Sequence, residues 1–175
     1  MPIDPKVKTV FSALNSTFQN VQADAGLGSL GWWPEEGNHD CLVTDVNMQD
    51  NAFKQSDGQS FPGFEIQFSY QLINDPGQDE PRRFVGQPFR IPADMNALTD
   101  PKAKTRAEIE LRRLKGHLTT CLRREPQDIG VALADLSHRL ENTDSVVAVV
   151  VKCQYDTGKD GKTWRKEFLQ KALST

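Results

Sequence analysis

The chain has 175 residues, of which 37% are hydrophobic and 26% charged, with a formal net charge of −3. That length suits one domain, 1–175, with a core large enough to need no staples, and the charge excludes a global pull on nucleic acid, so any such binding must come from local patches. The opening MPIDPKVKTV lacks a long apolar core and the longest apolar run, Val146 to Val151, is too short to span a bilayer, so a cytoplasmic protein without a membrane partner is expected.

The first element is an amphipathic helix over roughly Pro5 to Ala23. Val7, Val10, Phe11, Leu14, Phe18 and Val21 fall on one side of a 3.6-residue period. Two uses of this 1–24 segment stay open: a helix packed on the body, or a surface for a partner or a second copy. Asp24 to Asn38 is Gly-rich and carries Trp32, Trp33 and Pro34, which reads as a loop with two large aromatics. Adjacent residues of an extended chain point to opposite sides, so the two tryptophans cannot share one core, and at least one is expected to be buried.

His39 to Met48 has strand composition, with Leu42, Thr44, Val46 and Met48 expected on one face and Cys41, Val43 and Asp45 on the other. Asp50 to Pro62 is a polar connection holding Phe53, Lys54 and Phe61. The clearest strand follows: Phe64, Ile66, Phe68, Tyr70 and Leu72 alternate with Glu65, Gln67, Ser69 and Gln71, giving an apolar inner face and a polar outer one. Asn74-Asp75-Pro76-Gly77 turns the chain, and Arg82 to Ile91 makes a third strand containing Arg82, Arg83 and Arg90.

Pro92 to Pro101 ends the sheet and leads into a helix over Lys102 to Arg123, with Ile109, Leu111, Leu114, Leu118, Cys121 and Leu122 supplying most of its apolar side. From Lys102 to Arg124 the stretch carries eight cations against two carboxylates, Glu108 and Glu110. These cations are read either as a solvated face or as charge that steers nucleic acid or meets an acidic partner. After Pro126, a shorter helix covers Asp128 to Leu140. Val146 to Tyr155 is apolar on both faces and therefore central in the sheet, and the loop DTGKDGK joins it to a last strand over Thr163 to Gln170.

Three strands, one or two helices and two more strands form the element order βββ-α(α)-ββ. The expected fold is mainly β with helices: a five-stranded Greek-key barrel of the OB type, preceded by the amphipathic helix. Such a barrel binds oligonucleotides or oligosaccharides more often than it catalyses.

Catalytic and metal readings are weak. Cys41, Cys121 and Cys153 are odd in number and outside any CxxC pattern, which favours reduced thiols over a disulfide framework. His117 and Cys121 are spaced i, i+4 and His39 and Cys41 share a strand face, but no second pair has zinc-finger spacing, so no metal is expected. Gly158-Lys159-Asp160-Gly161-Lys162 lacks the spacing and the Gly-Lys-Ser/Thr ending of a phosphate loop. No nucleophile context appears, and neither an enzyme nor a cofactor is expected.

The segment Gly31-Trp32-Trp33-Pro34-Glu35-Glu36-Gly37, leading into a strand that ends Val43-Thr44-Asp45-Val46, resembles the start of small phage and prophage single-stranded DNA-binding proteins with an OB fold. The polar loop, alternating strand, basic helix and last hairpin are similar in order across roughly Trp32 to Leu173. The resemblance implies single-strand binding in replication, recombination or repair without an enzymatic cofactor. The chain departs from bacterial single-strand-binding proteins by ending KEFLQKALST, where they carry an acidic tail that recruits partners.

A single-strand groove needs cations along the phosphates and flat side chains under the bases. The residues of those types in the loops and strands that flank an OB binding face are Trp32, Trp33, Phe53, Lys54, Phe61, Arg82, Arg83, Arg90, Tyr155, Lys159, Lys162, Trp164, Arg165 and Lys166. The expected partner is single-stranded DNA or RNA, with homo-oligomers open. The competing reading is a non-enzymatic interaction or assembly module on the same scaffold.

Overall fold

The computed structural model describes residues 32–142 and 145–174. The helix read over Pro5 to Ala23 lies outside the described residues. The strands are β1 (Gly37–Asp50), β2 (Phe53–Lys54), β3 (Ser60–Phe61), β4 (Gly63–Leu72), β5 (Arg83–Val85), β6 (Phe89–Pro92), β7 (Ala148–Thr157) and β8 (Thr163–Ala172), with helices α1 (Pro101–Leu122) and α2 (Ile129–Glu141) between β6 and β7.

Six strands form one antiparallel sheet in the order β5-β4-β1-β7-β8, with β6 also paired to β4; β2 and β3 make a separate two-stranded hairpin. β1 is the longest strand and the pivot of the sheet. Its first half, Gly37 to Leu42, pairs with β7, and its second half, Cys41 to Asp50, pairs with β4. The mainly β architecture and the order of helices and strands match expectation, but the sheet differs from a closed five-stranded barrel. The third strand is split by Gly86-Gln87-Pro88 into β5 and β6, because Pro88 has no N–H for the ladder. Among the described residues no backbone pairing joins β8 to β5 or β6, so the sheet is open along that seam.

β4 follows its alternation: Phe64, Ile66, Phe68, Tyr70 and Leu72 are all buried. β1 does not follow the phase expected of it. A β-bulge between Val43 and Asp45 shifts the parity at Thr44, so Cys41, Val43 and Val46 all reach the core. β7 is central as expected, with Val149, Val151 and Cys153 fully covered and Val150 buried on the other face.

The helix ends are specified locally. Asp100 caps α1 by accepting from the Lys102 N–H, with Pro101 in the first turn, where its missing donor costs nothing. The helix stops at Arg123, whose left-handed φ of 56° turns the chain toward Pro126. Asp128 caps α2 through the Val131 N–H at 2.8 Å. α1 packs on β6 and β8, and α2 on α1 and β1. Leu114 and Leu118 of α1 and Leu133 and Leu136 of α2 join the main core around Phe68, Tyr70, Phe84 and Phe89. Each such side chain contributes about 1.5–3 kcal/mol on burial.

Candidate nucleic-acid interface

One mouth of the open sheet gathers aromatic and guanidinium groups from three distant segments. Trp32 and Trp33 enter β1 from the N-terminal side, and both meet the ring of Phe84 on β5 edge-on, at centroid distances of 6.3 and 5.3 Å. Phe84 in turn stacks on Tyr70 of β4 at 5.0 Å. Trp33 is buried and joins the core, while Trp32 is half-buried and packs against it. The expectation that at least one of the pair is buried therefore holds, and Trp33 presents no open ring face, but the expectation that the two cannot share one core fails, since both rings meet Phe84 and pack on the same cluster.

The Arg82 guanidinium lies 4.0 Å from the centroid of Trp32, close enough for a cation–π contact. Two bonds from Arg82 to the Asp75 carboxylate, each 2.9 Å, fix the plane of that guanidinium. The same bonds hold the Asp75 carboxyl below its ordinary range. Arg165 of β8 stands 5.7 Å from the Trp33 ring, and Tyr155 of β7 donates from its hydroxyl to the Pro34 carbonyl at 3.2 Å. Tyr155 and Arg165 are cross-strand partners and so share one face of the hairpin.

The opposite face of that hairpin carries Trp164, paired with Asp156, and Lys166, paired with Gln154. Trp164 is 49% exposed, the most open aromatic ring among the described residues. Lys166 bonds the Asp156 carboxylate, Lys162 lies 3.8 Å from Asp160, and Lys159 is exposed in the loop. The hairpin thus offers an aromatic ring and cations on both faces.

The remaining sequence-selected residues lie elsewhere. Phe53 is buried in a second cluster with Leu98, Ala103 and Ala107, and Phe61 packs against it. Arg106 of α1 covers Phe53 at 4.9 Å and donates to the Lys54 carbonyl at 2.5 Å. The β2–β3 hairpin is therefore tied to the start of α1, and Lys54 is exposed beside that contact. Arg83 is exposed at the edge strand β5, opposite Gln71. Arg90 reaches Glu65 at 3.1 Å, and Glu65 also accepts from Gln49 at 3.0 Å and Asn51 at 2.8 Å, so this part of the outer sheet face is a closed polar network.

The basic character of the stretch from Lys102 to Arg124 is offset in part, three of its eight cations being paired with carboxylates. Arg113 pairs with Glu110 at 2.8 Å, Lys115 with Glu125 at 2.6 Å, and Arg124 with Asp135 at 2.7 Å. Arg123 donates to the Leu173 carbonyl. What an exposed helical cation contributes in such pairs is small, a median of about 0–1 kcal/mol.

Four contributors escaped the sequence reading: Phe84, Asp75, Gln87 and Glu167. Asp75 sits in the Asn74-Gly77 turn, where its turn-forming role hides its bond to Arg82. Glu167 was legible by parity, since alternation along β8 places it on the inner face with Arg165 and Leu169. It is fully buried, accepts from the Gln87 N–H at 2.9 Å, and burial pushes its carboxyl up to about 7.

The buried thiols are chemically quiet. Burial pushes Cys41, Cys121 and Cys153 each up to about 12, which leaves almost no thiolate for nucleophilic attack or metal ligation. Among the described residues no three His, Cys, Asp or Glu side chains converge as metal ligands. No described helix is long and apolar enough to cross a membrane. Compared with protein-family models, with curated proteins and with solved structures, the chain matches none.

Proposed function

We propose that this protein is a sequence-tolerant single-stranded DNA-binding protein with an OB-like scaffold, acting in replication, recombination or repair. The observation that carries the reading is the mouth built by Trp32, Arg82, Tyr155 and Arg165, with the exposed Trp164 on the other face of the β7–β8 hairpin. Flat groups and cations alternate there over a short stretch of surface, as single-strand binding requires. The site is narrower than the sequence alone suggests, because Phe53 and Phe61 serve the packing of α1 and Arg90 serves the Glu65 network. Single-stranded RNA fits the same chemistry, and comparison of the two polymers belongs in the test.

Tryptophan fluorescence tests the reading directly. Oligo-dT added at low salt is expected to quench the emission, with the quenching reversed by salt and weak for a matched duplex. No response to the single strand at micromolar protein rejects the proposal.

A second reading, a protein-interaction module, is favoured by one feature. Leu111, Leu114, Leu118, Pro126 and Ile129 line a groove between α1 and the start of α2, and Ile109 and Val131 are exposed on the same two helices. Absence of single-strand binding in the unmodified protein, together with loss of a protein partner on Leu111→Glu, would favour this second reading.

A further inference from the structure

We propose that Glu167 is a proton-operated latch that holds together two edges of the sheet that no ladder joins among the described residues. This goes beyond the nucleic-acid reading and does not depend on it. Among the described residues β8 forms one edge, and the link between β5 and β6 lies opposite, with no ladder between them. Glu167 stands in the middle of β8 and accepts the Gln87 N–H of that link at 2.9 Å.

The link is built to lie directly on the carboxyl group. A Cβ at Gly86 would stand 2.3 Å from Glu167 Oε1 and 2.9 Å from its Cδ, so only glycine admits this approach. The same position would be 3.1 Å from the Tyr70 ring, so Glu167 and Tyr70 both press on Gly86. Among the described residues, the buried polar atoms without a partner include Glu167 Oε1, the Tyr70 hydroxyl and Gln87 Nε2, together with Nε and Nη2 of Arg113. An ionised carboxylate here keeps one backbone donor and loses its water, an expensive arrangement, whereas the neutral acid sits at lower cost.

The charges facing the group are few. From α1, Arg113 favours the ionised form and Glu110 opposes it, and these two are already bonded to each other. From β4 comes Tyr70, whose hydroxyl is itself held well above its ordinary value, mainly by burial and then by Glu167. From β7 comes Cys153, the cross-strand partner of Glu167, which stays a neutral thiol. Arg113 uses only Nη1 on Glu110, and Arg165 lies two residues away on the same face of β8, but burial outweighs the pull of Arg113 and pushes the carboxyl up to about 7, so its ionised form is stabilised when the seam parts and water reaches it. Rising pH therefore favours the parted seam, and falling pH the shut one.

Hydrogen exchange of the Gln87 amide in the full chain reads the latch. After correction for intrinsic exchange, its protection is expected to fall roughly 10- to 100-fold from about pH 5.5 to about pH 8.5. The amide of Phe68, inside β4, should hold its protection. Glu167→Gln keeps an acceptor for Gln87 without a titrating proton, and should make the profile flat. A flat profile in the unmodified protein, equal loss at Phe68, or a pH-dependent loss that survives in Glu167→Gln would overturn the proposal. Should that variant not fold, the carboxyl carbon of Glu167 in the unmodified protein decides by NMR: a midpoint coinciding with the Gln87 transition supports the latch, and one in the ordinary carboxylate range rejects it.

Discussion

The guanidinium of Arg82 lies over the Trp32 ring, 4.0 Å from its centroid, and is held there by the two-bond clasp of Asp75. The clasp has two opposite effects on a phosphate-binding surface. It presents Arg82 as a rigid plane on which a base can stack, and it cancels the charge of Arg82.

Asp75→Asn separates these effects. Removing the carboxylate leaves Arg82 uncompensated beside Trp32, so oligo-dT should bind several-fold more tightly at low salt, with a log–log salt slope steeper by about 0.7. An unchanged slope would take Arg82 out of the interface.

The buried Trp33 and the exposed Trp164 should respond in opposite ways. Trp33 is 6% exposed and packs edge-on against Phe84, so Trp33→Ala should destabilise the fold by about 3–5 kcal/mol in urea titration. Trp164 is 49% exposed, and its loss should change stability by no more than about 0.5 kcal/mol. Under the single-strand reading, Trp164→Ala should weaken oligo-dT binding by about 1–3 kcal/mol. Normal binding by a folded Trp164→Ala protein would remove the outer hairpin face from the site.

Gly86→Ala tests the contact that sets the seam. The new methyl would meet the Glu167 carboxyl at 2.3 Å, which requires a shift of backbone or carboxylate and should cost about 1–3 kcal/mol. Combined with Glu167→Ala, which vacates that space, the cost should shrink, giving a favourable coupling in a double-mutant cycle. Additive losses would place the strain elsewhere.

Much of this architecture is legible from residue order. The alternation from Phe64 to Leu72 announces β4 and its buried face, and Asp100-Pro101 and Asp128 mark both helix starts with side chains that cap their own backbone. The bulge at Thr44 is not legible, because it is set by the partner strands and reverses the face of every residue before it. The candidate site was blurred for a related reason. Composition shows that Arg82, Arg90 and Lys166 are cations, but their partners Asp75, Glu65 and Asp156 lie seven, twenty-five and ten residues away and are chosen by tertiary approach. Phe53 and Trp164 look alike as aromatics near turns, yet one packs under α1 and the other faces water.

The pH dependence of stability brings two buried groups into opposition. His117 is wedged between Phe68 and Phe89 and accepts no new charge: burial lowers it from 6.5 to about 3, with Arg113 adding repulsion. As pH falls below 6.5 the unfolded chain binds a proton there that the folded chain does not, so this group's stabilisation is present above 6.5 and is lost toward 3. Glu167 has the reverse sign. Its folded value of about 7 exceeds the ordinary 4.5, so its contribution is full below 4.5 and is lost as pH rises to about 7. Between 4.5 and 6.5 the two slopes, each about 1.4 kcal/mol per pH unit, nearly cancel. In Glu167→Gln the histidine slope stands alone, and stability relative to the unmodified protein should climb with pH across that window. In His117→Asn the glutamate slope stands alone, and relative stability should decline across it. Urea midpoints at several pH values measure both, and the other carboxylates, common to all three proteins, drop out of the differences. Parallel profiles for the three proteins would mean that neither group keeps its shifted value in solution.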